Sequence, residues 1–207
     1  MSSSASGSSF KMPVTTEEKV ARGKELKAEG DALYKEKKFS GAGSALQKYN
    51  EALAYLKGLD KNALQSIGMA SNKPATGDPS KDAKERTEVD EIVETIYGNM
   101  TACHIQNDKW DRVLTTCNTI LAKNEANYKA LFRKGRALAK LSEPEKALKI
   151  LEDVKAKCTD EKLLNEVTSE IAKLRADDKA REKVYRQGLK GFLNKEKKPA
   201  VDAPEKA

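Results

Sequence analysis

The sequence predicts an all-α protein built from helical hairpins, and three observations carry that prediction. Of 207 residues, 34 % are charged and 38 % hydrophobic, and long stretches rich in Ala, Lys, Glu and Leu hold little Gly or Pro. Such a composition favours helix over sheet. Apolar residues recur at spacings of three and four, while β-branched runs of period two are absent, so no sheet is expected. The helical stretches are joined in antiparallel pairs by short polar turns such as "NDKW" at 107–110 and "KNEAN" at 123–127.

Each element can be justified in order. Residues 1–14, "MSSSASGSSFKMPV", are rich in Ser and cannot bury enough apolar surface to offset chain entropy, so they are expected to be disordered. They lack an apolar core segment, so no signal peptide is expected. "TTEE" at 15–18 is a capping box in which Thr15 caps and Glu18 reaches back. A helix then runs to about Lys38 with Val20, Leu26 and Leu33 on its apolar side. A second covers roughly 41–65. Residues from about 66 to 82 form a linker of Pro, Gly, Ser and Asn. A third helix spans about 83–106, and a fourth carries Val113, Leu114 and Ile120. The fifth opens with "NYKALFRKG" at 127–135. "SEPE" at 142–145 reads as a second capping box with Pro144 in the first turn, where its missing N–H does little harm. That helix ends near Lys157. "TDEK" at 159–162 starts the last helix, which reaches about Lys195. It carries Leu164, Val167, Ile171 and Leu174, then the charged run "RADDKAREK", then Tyr185, Leu189 and Phe192. It is expected to cover the end of the helical stack. The polar tail 197–207 is expected to be mobile.

A period of 34 residues runs through the chain. Asn99 and Arg133, Trp110 and Pro144, Val113 and Ala147, and Ile120 and Val154 are each 34 apart, so units 94–127 and 128–161 align without a gap. An earlier unit, about 23–58, joins them when Gly30 is placed on Gly135. A small residue there lets the two helices of a hairpin approach closely. Ala45, Tyr49 and Ala52 then fall on the second-helix positions that face the first, after an insertion of about three residues around "SGAGS". The middle unit is degenerate, with Thr101 and Val113 where small residues are expected.

Phase, small positions and aromatics together resemble the tetratricopeptide repeat (TPR). The resemblance implies an α-solenoid of three helix-turn-helix repeats and a long C-terminal capping helix, within a domain over 15–196. "NMTACHIQN" at 99–107, "NYKALFRKG" and "AREKVYRQGLKGF" at 180–192 are similar to the TPR part of the large immunophilins. "YNEALAYLKGLD" at 49–60, followed by a long insertion, resembles the tetratricopeptide repeat protein nine family. No isomerase segment accompanies these motifs, and no isomerase activity is implied.

Domains of this type hold the C-terminal acidic peptide of Hsp90 or Hsp70, ending Glu-Glu-Val-Asp, in a carboxylate clamp. A chain-terminal Asp offers two carboxylates, and binding both requires cationic or amide donors converging from several helices. First helices of stacked hairpins line one concave groove and supply them. Carried over position by position, the resemblance assigns carboxylate binding to Lys27, Asn99, Lys129 and Arg133. It assigns contact with a peptide side chain to Tyr34. One position departs from the pattern. Asp31 stands where the family has an Asn, and an ionised carboxylate can only accept where an amide would donate. A like-charge contact at ~4 Å and an effective dielectric of ~20 costs on the order of 4 kcal/mol. Lys27, one turn earlier, would partly neutralise it.

The expectation is therefore a non-enzymatic, monomeric, cytoplasmic adaptor that binds an Hsp90 or Hsp70 tail. The alternative is a TPR scaffold for a different partner with a non-functional clamp. Cys103, Cys117 and Cys158 lack CxxC spacing and, with His104 as the only His, make no familiar metal site, so reduced thiols and no cofactor are expected. Adjacent side chains on a helix point about 100° apart, so Cys103 and His104 are not expected to form a catalytic pair. The net charge of +7 permits acidic partners. Few aromatics are available for base stacking, and negative charge is interleaved throughout, which argues against nucleic acid or membrane as the partner.

Overall fold

The computed structural model describes residues 15–59 and 87–196. The predicted tails and the linker lie outside the described residues; the second helix ends at Leu56, short of the expected 65, where Lys57 turns extended and Gly58 takes φ 91°, and the third starts at Glu88 behind the Thr87–Asp90 capping box rather than at 83. Seven helices and no strand occur among those described: α1 (Thr16–Lys35), α2 (Ala45–Leu56), α3 (Glu88–Gln106), α4 (Trp110–Lys123), α5 (Tyr128–Lys140), α6 (Pro144–Lys157) and α7 (Glu161–Glu196). Each helix packs on the next, and α1 also meets α3 while α5 meets α7. This alternation makes a stack of hairpins with first helices on one side.

Three apolar clusters follow one another along the stack. Leu26, Tyr49, Leu56 and Ile96 centre the first, across α1, α2 and α3. Val113, Cys117 and Ala137 join α4 to α5. Phe132, Leu151, Val154, Val167 and Ile171 join α5, α6 and α7. Repeat-equivalent residues occupy equivalent places: Ala45, Val113 and Ala147 are all fully buried, as are Tyr49, Cys117 and Leu151 to within 1 %. Thr101, in the degenerate unit, is buried by turning its hydroxyl to the Tyr97 carbonyl at 2.8 Å. The three cysteines are free and buried. Burial pushes the Cys103 and Cys117 thiols up to about 11.

The hairpin turns share one device. Lys37, Asp108 and Ser142 adopt φ of 61°, 53° and 65°, and each is the left-handed residue that ends a first helix. The following N–H donates to the carbonyl five residues back: Lys38 to Leu33, Lys109 to His104, and Glu143 to Leu138. This is a Schellman closure without glycine.

The device corrects several sequence expectations. Because Ser142 closes α5, it cannot cap α6. The N-cap is Glu143, which makes no side-chain cap bond, so "SEPE" is not a capping box, although Pro144 does open the helix. Helix α1 stops at Lys35 rather than Lys38 for the same reason. Helix α2 begins at Ala45, not 41, because Gly41 (φ 103°) and Gly43 (φ 66°) turn the chain before Ser44 caps it. Asp160 caps α7 by accepting from the Lys162 and Leu163 N–H groups, one residue later than expected. The Thr15–Glu18 box is present in both directions. On α7 the fully buried residue of the first turn is Leu163, with Leu164 partly covered. Tyr185 and Phe192 remain 71 % and 59 % exposed, so α7 covers the stack only as far as Leu174.

Candidate groove and its anion-binding residues

Helix α5 presents two long cations on the first-helix side of the stack, while Gly135 packs on Leu151 of α6 and Ala137 packs with Val113 and Cys117 of α4. Lys129 and Arg133, one turn apart, sit between two adjoining hollows. The larger, about 420 Å³, is also walled by Gly98 and Asn99 of α3 and by the acidic Glu91 and Glu94. The other, about 380 Å³, is walled by Tyr34, Phe132 and Leu163 together with the cations Arg136 and Lys162 and the acids Asp160 and Glu166. Lys129 is exposed and has no hydrogen bond or ion pair among the described residues. Arg133 donates from Nη1 to the Gly98 carbonyl at 2.7 Å. Desolvation lowers its pKa, while Cys117 and Tyr34 act in the opposite direction. It remains a cation with most of its N–H donors still available.

Lys27 and Asn99 are placed differently. Both are bound to Asp31. The Lys27 ammonium donates to Asp31 Oδ2 at 2.8 Å, and the Asn99 amide donates to Asp31 Oδ1 at 2.7 Å. A third donor, the Tyr49 hydroxyl, reaches the same Oδ1 at 2.7 Å. The network ties α1, α2 and α3 through one carboxylate. Asp31 is thus already satisfied and neutralised inside the protein, rather than facing the groove as a loose negative charge. Tyr34 stands edge-on to Phe39, centroids 5.2 Å apart, on the wall of the smaller hollow.

No protein-family model matches the chain. The fold is similar to that of the Hsp90 co-chaperone Cns1 from Saccharomyces cerevisiae, with a TM-score of 0.61 at 21 % identity, covering 86 % of this chain and 47 % of that one. It is also similar to the C-terminal TPR-containing domain of a putative FK506-binding protein from Plasmodium falciparum, with a TM-score of 0.58 at 19 % identity, covering 82 % and 97 % of the two chains. The fold is a tetratricopeptide repeat domain. By sequence, this TPR chain is 26 % identical over 180 residues to the peptidyl-prolyl cis-trans isomerase FKBP42 of Arabidopsis thaliana, covering 87 % of this chain and 43 % of that protein. It spans less than half the length of the curated relatives it matches. Identities at this level carry the fold.

The TPR phase explains how Tyr49 reaches the site. Tyr49 is the repeat equivalent of Leu151, which packs on Gly135, and it packs on Gly30 in the same way. The larger ring extends past Gly30, so its hydroxyl meets Asp31, the next residue. Sequence reading put Tyr49 on the hairpin-facing side but did not connect it with Asp31, although the two positions together carried the signal. His104 is half-buried, and burial together with Arg112 holds its pKa down. Trp110 opens α4 and lies under the Lys140 ammonium, 5.9 Å from the ring centroid. No group of three or more His, Cys, Asp or Glu among the described residues could hold a metal. No helix among them is long and apolar enough to cross a membrane.

The Asp31 network predicts an acid-labile term in stability. Desolvation is the largest influence on Asp31 and pushes its pKa up. The hydrogen bonds from Lys27, Tyr49 and Asn99 and the charge of Lys27 outweigh it and hold the carboxyl below the usual range. A depressed folded-state pKa contributes stability that is present above the ordinary carboxylate value of about 4 and is lost as pH falls through the folded value. Tyr49→Phe removes one donor and brings the folded value back toward the ordinary one. Denaturant unfolding followed across the acid range should show the variant losing stability at higher pH than wild type. Superimposable acid limbs would mean that the hydroxyl does not hold the carboxylate.

Proposed function

We propose that this TPR domain is a non-enzymatic adaptor that receives the acidic C-terminal tail of an Hsp90- or Hsp70-type chaperone on Lys129 and Arg133. One observation carries the reading: an unpaired ammonium and a guanidinium with free donors share one turn of α5 at the junction of two hollows. Tyr34, Phe132 and Leu163 beside them offer apolar cover for a peptide side chain next to the acidic one. The names of the structural neighbours, one an Hsp90 co-chaperone, are consistent with this role.

A second reading has its own observation. Asp31 engages Lys27 and Asn99, which removes two donors from the groove and suits a scaffold for a partner other than a chaperone tail. Calorimetric titration of a peptide ending Glu-Glu-Val-Asp decides between them. The first reading expects binding that weakens with added salt. It also expects Lys129→Ala to cost roughly tenfold in affinity, the weight of a charge-assisted hydrogen bond. No binding, or binding indifferent to salt and to Lys129→Ala, would overturn it in favour of the scaffold.

A further inference from the structure

We propose that Asp31 acts as an internal carboxylate ligand that fills one of two adjoining anion subsites in the groove, so that the incoming peptide is read through a single acidic group at Lys129 and Arg133. The inference rests on the adaptor reading and adds the chemistry of the ligand.

The argument begins with the donors. Lys27, Tyr49 and Asn99 come from three different helices and converge within 2.7–2.8 Å of one carboxylate. Such convergence is what a bound anion requires, and here the anion is part of the chain. Oδ2 takes the ammonium, and Oδ1 takes the hydroxyl and the amide. One positive and one negative charge cancel, so this subsite exerts little pull on a second carboxylate. Asn99 also lines the hollow that Lys129 and Arg133 line, which makes the filled and the open subsites neighbours.

The open subsite is different in kind. Lys129 has no partner among the described residues, and Arg133 spends one N–H on the Gly98 carbonyl. Together they can hold one carboxylate with charge-assisted bonds. A chain-terminal Asp brings two carboxylates, and only one finds charged donors waiting. A side chain therefore supplies the acidic group as well as a chain end does, and a free C-terminus becomes dispensable. Replacing Asp31 by Asn reverses this. The amide donates where the carboxylate accepted, and the Lys27 ammonium loses its partner and turns to the groove.

The test compares the peptide ending Glu-Glu-Val-Asp with the same peptide amidated at its C-terminus, titrated against wild type, Asp31→Asn, and Asp31→Asn combined with Lys27→Met. Wild type is expected to bind the two peptides within about 5-fold of each other, the weight of a solvent-screened charge. Asp31→Asn is expected to widen the preference for the free acid by roughly tenfold, and adding Lys27→Met is expected to close it again. The wild-type ratio needs no variant to fold, and thermal melts check that the variants are folded. A wild-type preference for the free acid of roughly tenfold or more overturns the proposal. So does an Asp31→Asn variant that gains equally for both peptides, since that would reflect net charge alone. Binding of neither peptide to wild type overturns the adaptor reading beneath it. Binding that depends on Lys129 but is unmoved by Asp31→Asn overturns only the internal-ligand proposal.

Discussion

Arg133→Glu is expected to remove acidic-peptide binding altogether. The guanidinium lies at the junction of both hollows, so any anion held by Lys129 meets it as well. The variant loses the charge-assisted donors and places a carboxylate beside the Gly98 carbonyl, an acceptor facing an acceptor, and beside the incoming acid. Lost donors and new repulsion together should weaken affinity by at least roughly 100-fold, below detection in a calorimetric titration. Arg133→Lys separates charge from geometry. It keeps the cation but loses the planar fork, and should bind roughly tenfold more weakly than wild type. Full binding by Arg133→Glu, with its helical circular dichroism intact, would show that the peptide does not use this turn of α5.

Gly30→Val is expected to be the most destabilising single change in the first hairpin. A Cβ at Gly30 would lie 2.6 Å from Cε1 and 2.8 Å from Cδ1 of Tyr49. That ring is 1 % exposed, and its hydroxyl is bound to Asp31, so it cannot swing aside without breaking the network. The valine adds two further methyl groups to the clash. Overpacking at such a site costs about 3 kcal/mol, which for a chain of this size lowers the thermal midpoint by roughly 6–12 °C. Gly188→Ala provides the contrast. Nothing lies within 4 Å of a Cβ there, on the exposed stretch of α7, so the same kind of change should raise the midpoint slightly through helix propensity. Equal melts for wild type and Gly30→Val would mean that the α1–α2 contact has room for a side chain at position 30.

The repeat was legible because it is written in residue size at fixed positions. Gly30, Thr101 and Gly135 face Tyr49, Cys117 and Leu151, and large-against-small complementarity survives even where Thr101 blurs the pattern. The Thr15 box was legible because both its bonds span three residues. Ser142 was misread because Ser followed by Glu three residues later describes a capping box equally well whether or not the preceding helix needs that Ser for its own closure. The last turns of α7 were misread because the 4-3 spacing of Tyr185, Leu189 and Phe192 reports a helical face without saying whether another element lies against it. The surface of α5 and α6 ends near Leu174, and at about 1.5 Å per residue the rest of the helix projects beyond it.

The same division runs through the groove. By itself the amino-acid order determined the hairpins, their phase, the four-residue spacing that pairs Lys129 with Arg133, and the anomaly of an acid at position 31. Only the tertiary structure decided what that acid does. Its partners stand 4, 18 and 68 residues away on three helices. A carboxylate takes whichever donors arrive within about 3 Å; Lys27 reaches it within α1, one turn away, but the Tyr49 and Asn99 distances are set by how the helices stack.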